Sequence, residues 1–485
     1  MSVDRSKLWA KVGAFSLSFL IIFSQSAVCW GTSDTSSGLN PTQKNLLLAK
    51  PAVIQITNIV TGELVLQASA AMELNTPQLA GRSYKFTLGA TGSGFFVSPD
   101  GYLITNGHVA NPEDDLIAYF AVSQLAPAIF KDAVRLVAEA NLGYAIPADM
   151  EYVVEQAYNE TLQTEYGGDI QKLADDLYKE FGSGRLKMSN VKKSNYIQTG
   201  HAFGSQTKVE QVGKPARLID SPYQGEFNSN DLALLKVEGS NFPTVKIGEA
   251  QNMQIGKELY AIGYPSIVNK LMGILTTEES QLEPSITKGV VSAKKKLVDG
   301  TEAFQTDAAI THGNSGGPAV DSNGMVVGVV TWSFSDDPGG DGFNFLISSE
   351  EVKRILSKNN VNTDTSSLTN ISWEKGLDLF SQKKYSLALK EFENVKRLYP
   401  DNIDVQNYIT KSQEAISRGE DKSSYWGWII LGVVVVGGLI LLVIVVVVII
   451  LLVRKGKSQG PGPGTGGTGK PRVGTKTQIR GSSGK

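Results

Sequence analysis

The chain is poor in the residues that cross-link proteins and bind metals. Its 485 residues include a single cysteine, Cys29, and only three histidines. One cysteine cannot form an intramolecular disulfide, so a hydrophobic core must stabilise the fold. No group of cysteine and histidine has the spacing of a metal site, and no glycine-rich phosphate-binding loop occurs. We therefore expect neither a metal nor another cofactor.

Acidic residues outnumber basic residues outside the C-terminal tail. The net charge is -2, yet residues 454–485 hold eight Lys or Arg residues and no acidic residue. The rest of the chain is therefore acidic, whereas nucleic-acid-binding proteins need basic surface to neutralise phosphates. We expect no nucleic-acid partner.

Long hydrophobic runs occur at two places. Basic residues, an apolar run and then small residues make up positions 1–29, the pattern of a secretory signal peptide. Residues 428–453 carry no charge and exceed the about 20 residues that cross a bilayer. Basic residues follow this second run and favour the cytoplasmic side. The chain is thus predicted to be a single-pass membrane protein with an extracytoplasmic body, periplasmic or extracellular. Its Gly-rich, disordered tail (454–485) would lie in the cytoplasm.

The body of the chain divides by its hydrophobic pattern. Between residues 50 and 357, short β-type runs alternate with Gly, Asn and Asp turns, which predicts a sandwich or barrel. Residues 113–188 break this pattern with the three- and four-residue spacing of a helical insertion. A polar linker (358–370) leads to residues 371–418, which have the spacing of one tetratricopeptide repeat. Because the segment has only one repeat, three roles for it stay open: a spacer, a dimer contact and peptide binding.

Three residues have the types and order of a catalytic triad. Ser315 lies in the glycine-rich stretch "THGNSGGP". A nucleophilic serine needs a base to take its proton and a carboxylate to orient that base. His108 follows one predicted strand, and Asp231 precedes another. The order His, Asp, Ser is that of the chymotrypsin fold, whereas α/β-hydrolases place the histidine after the serine.

The motifs around these residues resemble trypsin-like serine proteases, above all the bacterial HtrA/Deg type. They are "GSGFFVSPDGYLITNGHV", "NDLALLKV" and "TDAAITHGNSGGPAVDSNGMVVGVVT". The resemblance covers residues 50–357 apart from the insertion. It implies a mostly β, chymotrypsin-like double β-barrel with the active site between the barrels. It also implies that His108 is the general base, Asp231 its orienting partner and Ser315 the nucleophile. The backbone N–H groups of Gly313 and Ser315 would form the oxyanion hole.

The chain departs from the family's pattern at several positions. His108 and Asp231 are 123 residues apart because the insertion lies between them. The helical segment and the anchor stand where HtrA proteins carry a PDZ module, so PDZ-dependent activation is not expected. Asn314 replaces the aspartate that precedes the serine in trypsin, so we expect no zymogen switch of that kind. The specificity-pocket position is Ala309, which offers no carboxylate for Arg or Lys. We therefore expect cleavage after small or medium apolar residues.

Together these features predict a membrane-anchored, exported serine endopeptidase. It would hydrolyse polypeptide substrates through an acyl-enzyme and serve envelope protein quality control. The alternative is a latent or inactive protease-fold sensor that recruits protein partners through residues 113–188 and 371–418. The substrate, the oligomeric state and the role of the insertion stay open at this point.

Overall fold

The computed structural model describes residues 39–68, 76–198, 206–225, 229–265, 283–334, 343–363, 366–423 and 425–456. The predicted signal peptide (1–29) and the tail beyond residue 456 lie outside these ranges. The chain separates into two compact units, one ending at Ser423 and one beginning at Ser424. Each unit is described by itself.

Six antiparallel strands close a first β-barrel in the order β1-β2-β3-β6-β5-β4. Its interior is filled by apolar side chains such as Ile56, Phe96 and Leu235, all fully buried. Closing the sheet leaves no unpaired edge along these strands. The strands are β1 (Val53–Leu66), β2 (Ser83–Phe96), β3 (Tyr102–Thr105), β4 (Leu186–Ile197), β5 (Lys214–Asp220) and β6 (Ala233–Val237).

A second barrel closes in the order β10-β11-β12-β9-β8-β7, again with antiparallel neighbours. Its strands are β7 (Glu258–Gly263), β8 (Ser285–Lys296), β9 (Glu302–Thr306), β10 (Pro318–Val320), β11 (Val326–Phe334) and β12 (Phe343–Ser348). One apolar cluster joins the barrels: it contains Phe95 and Ile104 of the first and Val329 and Ile347 of the second. The predicted double β-barrel is confirmed.

Helices lie before, within and after the barrels. In the segment with the predicted insertion, three helices pack on the first barrel, where Ile129 and Leu173 share a buried cluster with Leu64 and Phe86. The helices of the barrel region are α1 (Pro41–Ala49), α2 (Gly107–Ala110), α3 (Asp114–Leu142), α4 (Glu151–Tyr166), α5 (Ile170–Gly182), α6 (Gln206–Val212) and α7 (Ser349–Lys358).

Three further helices form a C-terminal helical unit, α8 (Leu368–Ser381), α9 (Tyr385–Leu398) and α10 (Ile403–Ser417). Its core is built around the buried rings of Trp373 and Phe392, whose centroids are 5.5 Å apart. The likeness of this unit to a tetratricopeptide repeat stays a prediction. Tyr399 at the end of α9 joins the apolar cluster of the first barrel, so the unit packs directly on the β-domain.

The second compact unit contains helix α11 (Tyr425–Gly456). Its 20-residue segment Gly432–Leu451 is long and apolar enough to cross a membrane. Insertion into a bilayer stays a prediction.

Candidate active site

His108 and Asp231 are brought together by the pairing of β3 with β6. In this pairing Thr105 lies opposite Ala233, so the residues that follow β3 meet those that precede β6. The backbone N–H of His108 donates to Asp231 Oδ1 at 2.9 Å, and His108 Nδ1 lies 2.6 Å from Asp231 Oδ2. Asp231 is fully buried, while the imidazole is 31% exposed. The carboxylate therefore fixes the orientation of a ring that solvent and substrate can still reach.

The residues around this pair leave little freedom of movement. Asn106 Nδ2 donates to the Asp231 carbonyl oxygen at 2.7 Å. A Cβ atom at Gly107 would lie only 2.1 Å from the Cβ of Tyr223, so this position admits only glycine. The Tyr223 ring lies edge-on to His108 with a centroid distance of 6.5 Å. Burial raises the pKa of Tyr223, and the negative charge of Asp231 raises it further. The phenol is therefore neutral and supplies no charge to the site.

The loop that carries Ser315, the nucleophile loop (residues 311–317), is built from two consecutive turns. The Asn314 N–H donates to the Thr311 carbonyl at 3.1 Å, and the Gly317 N–H donates to the Asn314 carbonyl at 2.9 Å. The third residue of each turn has a positive φ, 96° at Gly313 and 87° at Gly316. Both turns are thus of type II, which requires glycine at this position. The glycines of the motif are explained by this geometry.

The predicted oxyanion donors are the backbone N–H groups of Gly313 and Ser315. Neither the Gly313 N–H nor the Ser315 N–H has an acceptor among the described residues. Buried or constrained N–H groups normally have a hydrogen-bond partner. Two such donors beside a serine are therefore suited to bind the carbonyl oxygen of a substrate.

Thr331, in β11, connects the loop to the His–Asp pair. Its hydroxyl donates to Asp231 Oδ2 at 2.6 Å, and its carbonyl accepts a 3.2 Å hydrogen bond from Ser315 Oγ. The serine hydroxyl therefore points to Thr331 and makes no hydrogen bond to His108. Such catalytic bonds are often loose or absent without substrate. The role of Thr331 was not predicted from the sequence. The one indication of it there is a hydroxyl-bearing residue within the apolar run "GMVVGVVTWSF".

Three further positions are the predicted specificity-pocket residue and the two remaining histidines of the chain. Ala309 is exposed, and its carbonyl accepts a hydrogen bond from Thr287 Oγ1 at 2.9 Å. His312 is also exposed, at the second position of the first turn. His201 lies outside the described residues.

Comparison with known proteins places part of the chain in a known class. Residues 190–329 match the family model of the trypsin-like peptidase domain. The chain is 39% identical over 184 residues to a probable periplasmic serine endoprotease DegP-like of Pseudomonas putida (strain W619), covering 37% of this chain and 34% of that protein. It is 26% identical over 192 residues to the serine protease Do-like HtrA of Lactobacillus helveticus, covering 38% and 43%. It thus spans about a third to two-fifths of the length of these relatives.

The solved structures that match include the HtrA-type protease AlgW with a decapeptide. That match has 20% identity, covers 65% of this chain and 66% of the other, and has a TM-score of 0.33. AlgW with a tripeptide matches at 19% identity, 66% and 64% coverage and a TM-score of 0.33.

Residues 190–329 thus resemble a trypsin-like peptidase domain, and the two β-barrels fit the fold of that class. The chain is also similar to the HtrA/DegP serine endoproteases, which confirms the predicted resemblance.

Proposed function

We propose that this chain is a membrane-anchored, exported serine endopeptidase with His108, Asp231 and Ser315 as its triad. The buried Asp231 carboxylate carries this proposal, because its oxygens accept hydrogen bonds from His108 and Thr331. Burying a carboxylate is costly unless hydrogen bonds satisfy it. Here the bonds that satisfy it also orient a partly exposed imidazole, which is the arrangement that general-base catalysis requires.

In the proposed reaction the same residues act in the formation of the acyl-enzyme and in its hydrolysis. Ser315 Oγ turns from Thr331 toward His108, transfers its proton to Nε2 and attacks the peptide carbonyl. The N–H groups of Gly313 and Ser315 stabilise the oxyanion. His108 then protonates the leaving amine, and water hydrolyses the acyl-enzyme by the same route. Throughout, Asp231 holds the imidazole by Nδ1–H.

The specificity and location belong to the same proposal. With alanine at position 309, the pocket would accept small or medium apolar residues of a polypeptide substrate. The apolar segment Gly432–Leu451 supports a membrane anchor, and several relatives are named as periplasmic. A role in envelope protein quality control, with a cytoplasmic tail, completes this proposal.

A latent, protease-fold sensor is the second candidate. The observation that favours it is the Ser315 hydroxyl bonded to Thr331 instead of His108. In this case partners bound to the helical insertion or to the C-terminal helical unit would have to bring the serine to the base.

Hydrolysis of an unfolded polypeptide separates the two candidates. The full chain in detergent is incubated with casein, beside Ser315→Ala and a control, Ser349→Ala, which removes a buried serine hydroxyl outside the site. If the chain is an endopeptidase, the wild type and the control should cleave casein and Ser315→Ala should not. Absence of cleavage by a folded wild type would contradict it and favour the sensor.

A further inference from the structure

Ser93 is a fully buried residue of β2 that contacts the nucleophile loop from the opposite barrel. Its backbone N–H donates to the Ser315 carbonyl at 2.8 Å. Its hydroxyl donates to the Gly313 carbonyl at 2.7 Å, across 220 residues of sequence. One residue of the first barrel thus binds the carbonyls of both residues whose N–H groups are the proposed oxyanion donors.

The Ser93 hydroxyl has no freedom to point elsewhere. Its oxygen accepts a hydrogen bond from the backbone N–H of Tyr264 at 2.9 Å, so its proton is directed at Gly313. The Ser93 carbonyl accepts from Thr105 Oγ1 at 2.7 Å. Each of these groups is buried, and a buried hydroxyl with a fixed donor and a fixed acceptor acts as a rigid connector.

These bonds hold the peptide groups on both sides of the Ser315 N–H. The peptide after Gly313 is held by Ser93 at its oxygen and by the Thr311 carbonyl at its N–H. The peptide after Ser315 is held by Ser93 at its oxygen and by the Val330 carbonyl at its N–H. Peptide groups are planar, so fixing both neighbours restricts rotation of the peptide between them. That middle peptide carries the Ser315 N–H.

The close packing between Ser93 and the nucleophile loop explains the glycines around Ser93. A Cβ atom at Gly316 would lie 2.2 Å from the Ser93 carbonyl oxygen. At Gly263 it would lie 2.9 Å from Ser93 Oγ, and at Gly92 it would lie 3.0 Å from the Ser315 carbonyl oxygen. Side chains at these three positions would separate Ser93 from the loop.

We propose that Ser93 is a positioning residue that orients the Ser315 N–H group for the oxyanion. This inference rests on the proposed function, since an oxyanion hole has a role only if Ser315 attacks a carbonyl. It assigns the interface between the barrels a part in transition-state stabilisation that the triad residues do not perform.

The test compares Ser93→Ala with Ser349→Ala in the full chain. Ser349 is a matched control because it is also fully buried and its hydroxyl also donates to a backbone carbonyl, that of Gly248 at 3.0 Å. Ser93→Ala is expected to lower kcat for a peptide substrate by about 10- to 100-fold, less than the loss of a whole oxyanion donor. Its KM should change less than about threefold, because ground-state binding is untouched. The kinetics of Ser349→Ala should stay near those of the wild type.

Other outcomes are equally decisive. If folded Ser93→Ala keeps the wild-type kcat, or if Ser349→Ala loses as much, the positioning role is overturned while the proposed function stands. If the wild type itself is inactive, the proposed function fails and the inference fails with it. Should Ser93→Ala not fold, Ser93→Cys changes a single atom and weakens the donor, and the same fall in kcat is expected.

Discussion

At the scale of single residues, the site depends on hydrogen bonds between distant parts of the chain. Thr331 lies 100 residues after Asp231, and Ser93 lies 220 residues before Gly313. Short motifs identify His108 and Ser315 because their neighbours constrain the local backbone. Thr331 and Ser93 lie within the same motifs, but nothing local marks their roles, which arise only when two strands from different parts of the chain meet. Sequence reasoning therefore predicted the proposed triad but not the residues that hold it.

Replacing Thr331 by valine tests one of these supports. Thr331→Val keeps the shape of the side chain but removes the 2.6 Å hydrogen bond to Asp231 Oδ2. Hydrogen bonds to charged groups contribute about 1.5–3 kcal/mol. We expect kcat/KM for a peptide substrate to fall by about ten- to a hundredfold, measured by steady-state kinetics. An unchanged kcat/KM in a folded variant would show that the threonine hydroxyl plays no part in holding the carboxylate.

Lys50 provides a prediction about pH and stability. This buried amine lies 2.9 Å from Asp404 and also pairs with Glu283. Burial alone would lower the pKa of Lys50, but the carboxylates of Asp404 and Glu283 raise it above its ordinary value of 10.5. Because the folded-state pKa is raised, the ion pair stabilises the fold below pH 10.5, and this contribution is lost as the pH rises through the folded-state pKa.

The variant Lys50→Met isolates that contribution. It leaves the Asp404 carboxylate without its partner, so the free energy of unfolding at pH 7 should fall by about 2–4 kcal/mol. Urea unfolding measures the difference. The wild type should lose its advantage over Lys50→Met as the pH is raised above 10.5. If the difference in the free energy of unfolding between the two proteins stays constant up to pH 12, the ion pair of Lys50 is not its cause.

At the scale of secondary-structure elements, hydrophobic periodicity accounts for what could be predicted. Short strands separated by turns indicate a sandwich or a barrel, and the family resemblance selects the double barrel. Three- and four-residue spacing indicates helices within residues 113–188. The same spacing cannot show where a helix docks. Helix α1 packs against α8, with Trp373 Nε1 donating to the Leu47 carbonyl at 2.8 Å and Lys44 pairing with Asp378 at 2.6 Å. These partners are separated by more than 300 residues, which no local pattern reveals.

This docking predicts that the β-domain depends on the C-terminal helical unit. The unit also contacts the barrels, through Lys214 with Asp401 at 2.9 Å and Asn370 with the Thr244 backbone. Ending the chain after residue 363 would expose the faces of α1 and of the first barrel that it covers. We expect aggregation or a clearly lower melting temperature than that of a chain ending at Ser423. Equal thermal stability of the two truncated chains would show that the unit is only an appendage.

A single substitution tests the same interface without removing the C-terminal helical unit. Trp373 is almost fully buried between α1, α9 and α10. Trp373→Ala should lower the free energy of unfolding by about 3–5 kcal/mol, as large-to-small changes in a core do. Its exposed neighbour, Glu374→Ala, should change stability by less than about 1 kcal/mol and serves as the control.

At the scale of the whole molecule, the proposal joins a peptidase domain to a membrane anchor. The segment Gly432–Leu451 would be about 30 Å long as a helix, which matches the hydrocarbon core of a bilayer. The full chain should therefore sediment with membranes and resist carbonate extraction, while a chain ending at Ser423 should stay in solution. The truncated chain should keep a kcat/KM within about twofold of the full chain. Release of the full chain by carbonate would contradict the anchor.

Covalent labelling by a fluorophosphonate tests the proposed triad, because this reagent reacts with a serine only when its base and oxyanion donors are in place. The full chain in detergent is treated with the reagent and digested, and the modified residue is located by mass spectrometry. We expect one adduct, on Ser315, which is lost in Ser315→Ala and strongly reduced in His108→Ala. A folded chain that forms no adduct, or forms it on another serine, would contradict the proposed triad.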